Sequence, residues 1–132
     1  MKFISLQHIS IEDPGTFKDF LIEDGHSITT IQLDEGDSIP NNLDEFDAML
    51  CMGGPMDTFM EDQYPWLVAE KKAIGEYVLN LKKPFLGFCL GCQLLGEVLG
   101  GKVVESKPPE IGVLDINIEE AAKADHIFDF LP

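Results

Sequence analysis

Gly87-Phe88-Cys89-Leu90-Gly91 sets a thiol midway between two glycines. A Gly-x-nucleophile-x-Gly pattern suits a tight strand-to-helix turn with its central side chain at the tip. Side chains at the flanking positions would collide there, and glycine removes them. A helix starting at Leu90 would aim its free N–H groups at the same point, and such groups stabilise thiolates and oxyanions. The chemistry this implies is attack by cysteine sulfur on an acyl or amide carbon, through a thioester. A free cysteine can instead be only a small buried hydrophobe. Placement between an apolar strand and an amphipathic helix favours the nucleophile. Upstream, Gly53-Gly54-Pro55 forms a second sharp loop directly after an apolar run.

The elements that must position these loops can be read from periodicity. KFISLQHI at 2–9 reads as a strand. Asp13-Pro14-Gly15 opens a helix that runs to about Asp24, carrying Phe17, Phe20, Leu21 and Ile22, and Gly25 stops it. SITTIQL at 27–33 is rich in β-branched residues and reads as a second strand. FDAMLCM at 46–52 and the run from Pro84 to Phe88 have the apolar character of buried parallel strands. Residues 65–81 predict a helix with Leu67, Ile74, Val78 and Leu81 on one face. A further helix runs from the elbow to Leu99 and ends at Gly100-Gly101. KVVE at 102–105 and IGVLDINI at 111–118 read as two more strands, and the tail as a short helix with an irregular end. Strands alternating with helices predict an α/β domain with a mostly parallel sheet, whose sites lie beyond the carboxyl ends of the strands. Both glycine loops leave such ends.

The 132 residues suit a single domain, 1–132, since domains usually run ~50–250 residues. Nine basic residues against 24 acidic ones leave a net charge of −15. That balance excludes nucleic acid as the main partner, because phosphate binding needs clustered cations, and it disfavours an anionic membrane surface. No run approaches the ~18–20 apolar residues of a membrane span, and the N-terminus lacks the pattern of a signal peptide. Three cysteines, Cys51, Cys89 and Cys92, fit no disulfide framework and point to a reducing cytoplasm. Cys51 reads as core and Cys92 as packing. The acids Asp34, Glu35 and Asp37 lack the spacing of a calcium loop and read as a solvated turn. The glycines form neither a dinucleotide fingerprint nor a P-loop. No metal and no cofactor are expected.

Several stretches together resemble one family. GFCLGCQLLGEVLGGKV at 87–103 is similar to the nucleophile region of class I (triad-type) glutamine amidotransferases, and GGPMD at 53–57 resembles that family's oxyanion loop. EDQYPWLVAEKKAI and EIGVLDINI are similar to the branch related to the amidotransferase domain of GMP synthase. The resemblance covers about residue 44 to Pro132. It implies a flavodoxin-like three-layer α/β sandwich, partial in this chain, with its C-terminal part missing. It further implies that Cys89 attacks the side-chain amide of glutamine, giving ammonia and a γ-glutamyl thioester that water resolves. The N–H groups of Leu90 and Gly54 would form the oxyanion hole, and Gln93 would help hold glutamine. Gly53 and Pro55 would shape the loop, and Gly87 and Gly91 would permit the elbow. A separate acceptor or synthetase subunit is the implied partner.

The chain departs from that pattern in two respects, one of them Cys92, where many relatives carry His. The family's triad is completed by a His and an acid well downstream, and the sequence ends 43 residues after Cys89. His8, His26 and His126 match no catalytic motif and read as surface or packing residues. Two other functions therefore stand beside glutamine hydrolysis: a γ-glutamyl peptidase or hydrolase using the same elbow, and a glutamine-binding module without turnover.

Overall fold

The computed structural model describes residues 1–109, 111–115 and 117–123. Strands β1 (Lys2–Gln7), β2 (Ser27–Gln32), β3 (Ala48–Cys51) and β4 (Phe85–Gly87) form one sheet in the order β2-β1-β3-β4. All pairings are parallel: Leu6 lies opposite Ile31 on one side and Cys51 on the other, and Cys51 lies opposite Gly87. Parallel neighbours need crossover connections, which helices supply. α1 (Thr16–Glu23) connects β1 to β2 and α2 (Trp66–Gly75) lies between β3 and β4, while α3 (Leu90–Val98) follows β4 and a short α4 (Glu120–Lys123) lies in the tail. The helix expected over 65–81 forms α2 and then continues as a π-helical turn, Glu76–Asn80.

Side chains alternate across a strand, and here the alternation sorts the core into two faces. Ile4, Leu6, Met49 and Cys51 pack with Leu67, Ile74, Tyr77, Leu90 and Leu94 on the α2–α3 side. Phe3, Ala48, Leu50 and Met52 pack with Leu21 on the α1 side. The molecule is thus a three-layer α/β sandwich of flavodoxin-like order, as expected. Its two faces are unequal. Of the apolar residues expected on α1, Leu21 is buried, whereas Phe17, Phe20 and Ile22 are exposed.

Two expected strands do not form. Residues 102–105 and the described part of 111–118 are irregular, with Val104, Ile111 and Val113 exposed. Strand propensity expresses fit to a pleated, half-buried surface rather than a backbone preference. Among the described residues no sheet edge pairs with these segments, so their β-branched residues have nothing to pack on.

The α2–α3 face also buries a polar cluster. His8, directly after β1, is fully buried, as is Glu70 of α2. His8 Nε2 lies 2.8 Å from Glu70 Oε1, and its Nδ1 lies 2.8 Å from the Gly53 carbonyl oxygen after β3. The Cys51 thiol donates to the same Glu70 oxygen at 3.3 Å, and the indole of Trp66 stacks on the imidazole at 5.4 Å. Burial alone would lower the His8 pKa. The Glu70 hydrogen bond and charge, the Gly53 carbonyl and the charge of Glu12 outweigh it, so the pKa is raised above 6.5. Burial, then the nearby Glu70, pushes the Cys51 thiol well above its ordinary range. It therefore stays a thiol and a donor.

This packing sets expectations for stability. Leu94→Ala, at a fully buried site, should cost about 2–5 kcal/mol in a denaturant titration, whereas Leu114→Ala, at an exposed site, should change stability by no more than about 0.5 kcal/mol. The raised His8 pKa means that the native state binds this proton more tightly than the unfolded chain. Its stabilisation is complete below pH 6.5 and is lost as pH rises through the folded-state pKa. The stability advantage of wild type over Glu70→Gln should therefore shrink with rising pH in parallel thermal melts.

Candidate active site

β4 ends at Gly87, and α3 begins three residues later. In between, Cys89 takes φ 48° and ψ −106° as the residue capping α3. A left-handed φ at a residue with a Cβ costs about 1–3 kcal/mol and persists only where its surroundings over-determine it. They do so here. A Cβ on Gly87 would lie 2.6 Å from the Gly91 carbonyl carbon and 2.7 Å from the Cys92 nitrogen. A Cβ on Gly91 would strike the Cys51 carbonyl oxygen. That same oxygen accepts the Phe88 N–H at 2.9 Å, which clamps the turn to the end of β3. The expectation that Gly87 and Gly91 permit the elbow thus has a steric cause. Cys89 is free and exposed at the tip.

Cys92, expected as a packing residue, is exposed, and its thiol donates to the Gly87 carbonyl at 2.8 Å, bracing the turn from below. Gln93 lies one helical turn after Cys89 and is exposed on α3. The Leu90 N–H, at the first position of α3, has no acceptor among the described residues.

The second loop stands against the first. A Cβ built on Gly53 would lie 3.6 Å from Cys89 Cβ and would strike the Glu12 carboxylate. A Cβ on Gly54 would lie 2.9 Å from His8 Cβ, 3.1 Å from Met56 Sδ and 3.2 Å from Leu90 Cδ2. At Gly54 the clash is with the fixed Cβ of His8, so glycine is required there, whereas at Gly53 a side chain would have to displace the mobile end of Glu12. Gly53 is buried and Pro55 exposed, so the loop emerges from the core as it passes Cys89. Among the described residues the Gly54 N–H has no acceptor. Two unpaired backbone donors, Gly54 and Leu90, thus flank an exposed thiol. That combination can accept a negative oxygen beside a nucleophilic sulfur.

The site sits where the chain reverses its strand order. β2 lies to one side of β1, and β3 and β4 to the other. In open α/β sheets this switch point opens a crevice beyond the strand ends. β1 delivers His8 and Glu12 to it, β3 delivers Gly53 and Gly54, and β4 delivers Cys89. Sequence reasoning missed Glu12, Glu70 and the structural part of His8. A histidine at the end of an apolar strand was the available signal. His26 lies elsewhere, with Nδ1 at 3.3 Å from the N-terminal nitrogen and its ring stacked on Phe3. His126 lies outside the described residues. Asp37 accepts the Gln32 N–H and closes a turn, in keeping with a solvated loop around Asp34, Glu35 and Asp37.

His8, Cys51 and Glu70 hold ligand-type atoms within 4.8 Å of one another. Their 2.8 Å nitrogen–oxygen separation is a hydrogen-bond length, and the other ring nitrogen already serves Gly53. The trio is a hydrogen-bonded network. A cavity of about 570 Å³ opens instead between the loop at 33–43 and α2, lined among others by Ile39, Leu43, Trp66 and Lys72. It includes no residue of either glycine loop.

Comparison with known proteins places the chain in a family. The sequence profile of the family described as Glutamine amidotransferase class-I matches residues 17–130. The chain is 35% identical over 117 residues to the glutamine amidotransferase-like protein YfeJ of Salmonella typhimurium, covering 86% of this chain and 48% of that protein. It is 38% identical over 81 residues to a glutamine-hydrolysing GMP synthase subunit of Sulfurisphaera tokodaii, covering 59% and 38%. The crystal structure of a glutamine amidotransferase from Thermotoga maritima superposes with a TM-score of 0.71 at 34% identity, over 76% of this chain and 43% of that one. The chain therefore spans less than half the length of each of these relatives. With the profile match running through most of the sequence, the chain belongs to the class I glutamine amidotransferase family.

Proposed function

We propose that residues 1–132 form part of a single amidotransferase domain and carry its glutamine-hydrolysing centre. Cys89 Sγ attacks the side-chain amide carbon of glutamine, and a carbon–sulfur bond forms. The carbon–nitrogen bond then breaks, and the nitrogen leaves as ammonia with the proton that the Cys89 thiol has given up. Water attacks the γ-glutamyl thioester, releasing glutamate and restoring the thiol. The observation that carries this reading is the strained, exposed Cys89 at the start of α3, set beside the unpaired Gly54 and Leu90 N–H groups. Those two donors receive the oxyanion formed at each attack, and losing one such donor typically costs about 10²–10³-fold in turnover. Gln93 contacts the bound glutamine from α3, and Gly53 and Pro55 shape the loop beneath it.

His8 is not the proton carrier of this scheme. It is buried, and both its ring nitrogens are engaged. The ammonia passes to an acceptor on a separate synthetase subunit. The similarity to a GMP synthase chain named as a subunit supports that arrangement. Among the described residues no helix is long and apolar enough to cross a membrane. The exposed free thiol of Cys89 suits a reducing compartment such as the cytoplasm.

Glutamine turnover, read as glutamate and ammonia release, tests the reading. Cys89→Ala should abolish it, by about 10⁴-fold or more. A glutamine-mimicking diazoketone should label the peptide containing Cys89 and leave Cys51 and Cys92 untouched. Turnover that survives in Cys89→Ala, or a label mapped to either other cysteine, would show that the elbow is not the reactive centre.

A further inference from the structure

We propose that His8 is the positioning residue of the oxyanion loop: by donating its Nδ1–H to the Gly53 carbonyl, it sets the orientation of the Gly53–Gly54 peptide and so the direction of the Gly54 N–H. This assignment rests on the glutamine-hydrolysing reading of the loop.

A peptide unit is planar, and in its trans form the carbonyl and the following N–H point in opposite directions. Among the described residues the single cis bond is Lys107–Pro108, so Gly53–Gly54 is trans. The Gly53 oxygen is drawn inward, to 2.8 Å from His8 Nδ1. The Gly54 N–H must therefore point away from the imidazole, and no acceptor engages it among the described residues. Cys89 stands beside this peptide, its Cβ 3.6 Å from the Cβ position of Gly53.

A lock is needed because of the residues the loop must use. The close approach to His8 Cβ demands glycine at 54, and glycine also stands at 53, where a Cβ would displace the Glu12 carboxylate. A Gly–Gly peptide has no Cβ on either side to resist rotation of its plane. Turned over, it would present a carbonyl oxygen where the donor belongs, and it would repel the oxyanion.

The lock has one sense. A carbonyl oxygen only accepts, so Nδ1 carries the proton. Nε2 faces Glu70 Oε1 at 2.8 Å, and the Cys51 thiol donates to that oxygen at 3.3 Å. The indole of Trp66 covers one face of the ring. With both nitrogens bound and one face stacked, the imidazole has a single orientation. α2 supplies Glu70 and Trp66, so a helix outside the loop holds the donor in place.

Two amide substitutions separate the two ring nitrogens. An asparagine amide nitrogen stands near the position of Nδ1, and a glutamine amide nitrogen near that of Nε2. In the full-length protein as its source makes it, His8→Gln should lower kcat for glutamine by about 10²–10³-fold, with KM changed by no more than about threefold. His8→Asn should keep kcat within about tenfold of wild type. Alkylation of Cys89 by iodoacetamide forms no oxyanion, and its rate should be the same in all three proteins. Crystal structures should show the Gly53–Gly54 peptide turned over in His8→Gln and retained in His8→Asn.

Equal turnover in the two variants, a peptide unmoved in His8→Gln, or alkylation that falls in step with turnover would overturn the assignment. If wild type itself does not turn over glutamine, the hydrolytic reading fails, and the peptide orientation in the two crystal structures decides this proposal alone. Nitrogen NMR of wild-type His8 needs no variant. It should show Nδ1 protonated, and an unprotonated Nδ1 would refute the proposal.

Discussion

The carbonyl oxygen that ends β3 constrains everything around the reactive thiol. It accepts the Phe88 N–H and faces the Cα of Gly91 at a separation that leaves no space for a side chain. α3 can start this close to the sheet only if residue 91 is glycine, and β4 can turn into it only if residue 87 is glycine. Once both ends are placed, the residue between them has no relaxed conformation left, and that residue is Cys89. The strain, about 1–3 kcal/mol, is offset by what the close start of α3 buries. Leu90 and Leu94 are fully buried on the sheet, and each such side chain contributes about 1.5–3 kcal/mol.

The polar cluster beneath the second loop meets a related demand by different means. Glycine lets backbone approach closely, but it gives no rigidity. The Gly53-Gly54 loop takes its rigidity from groups that do not belong to it: His8 from β1, Cys51 from β3 and Glu70 from α2. All three are buried, so their hydrogen-bond partners lie inside the protein, although Glu70 Oε2 has none among the described residues. Glu70 Oε1 serves both other members. The same low-dielectric setting that makes such a network costly to break also makes its geometry definite. Lys71, next on α2, ties Glu61 and Glu97 together at 2.8 and 3.1 Å and so links α2 to α3, the two helices that stand over the site.

Much of this was legible in the amino-acid order, and the exceptions share a cause. The glycine elbow could be read because a steric demand on the backbone leaves glycine at fixed spacing around one reactive residue. β3 could be read because a strand buried on both faces is a run of apolar residues; β4 carries the same apolar pattern, although as an edge among the described residues it leaves Leu86 exposed. KVVE and IGVLDINI carry the same local preference, yet the described residues there are irregular, because propensity expresses itself only against a neighbouring edge. Phe17, Phe20 and Ile22 have helical spacing, yet they remain exposed, because spacing does not say what a helix face will meet.

By itself, then, the sequence determined the order of the elements, the placement of Cys89 at a strand-to-helix turn and the acidic character of the surface. Each of these depends on residues within a few positions of one another, or on composition alone. Only the tertiary structure decided that His8, a residue with no motif around it, would lie beneath Gly53. It also decided that Glu70, 62 positions further along the chain, would meet the other ring nitrogen. Which buried polar groups find each other depends on which strand and helix faces are brought into contact. No local pattern encodes that pairing, because it comes into being only when the layers close.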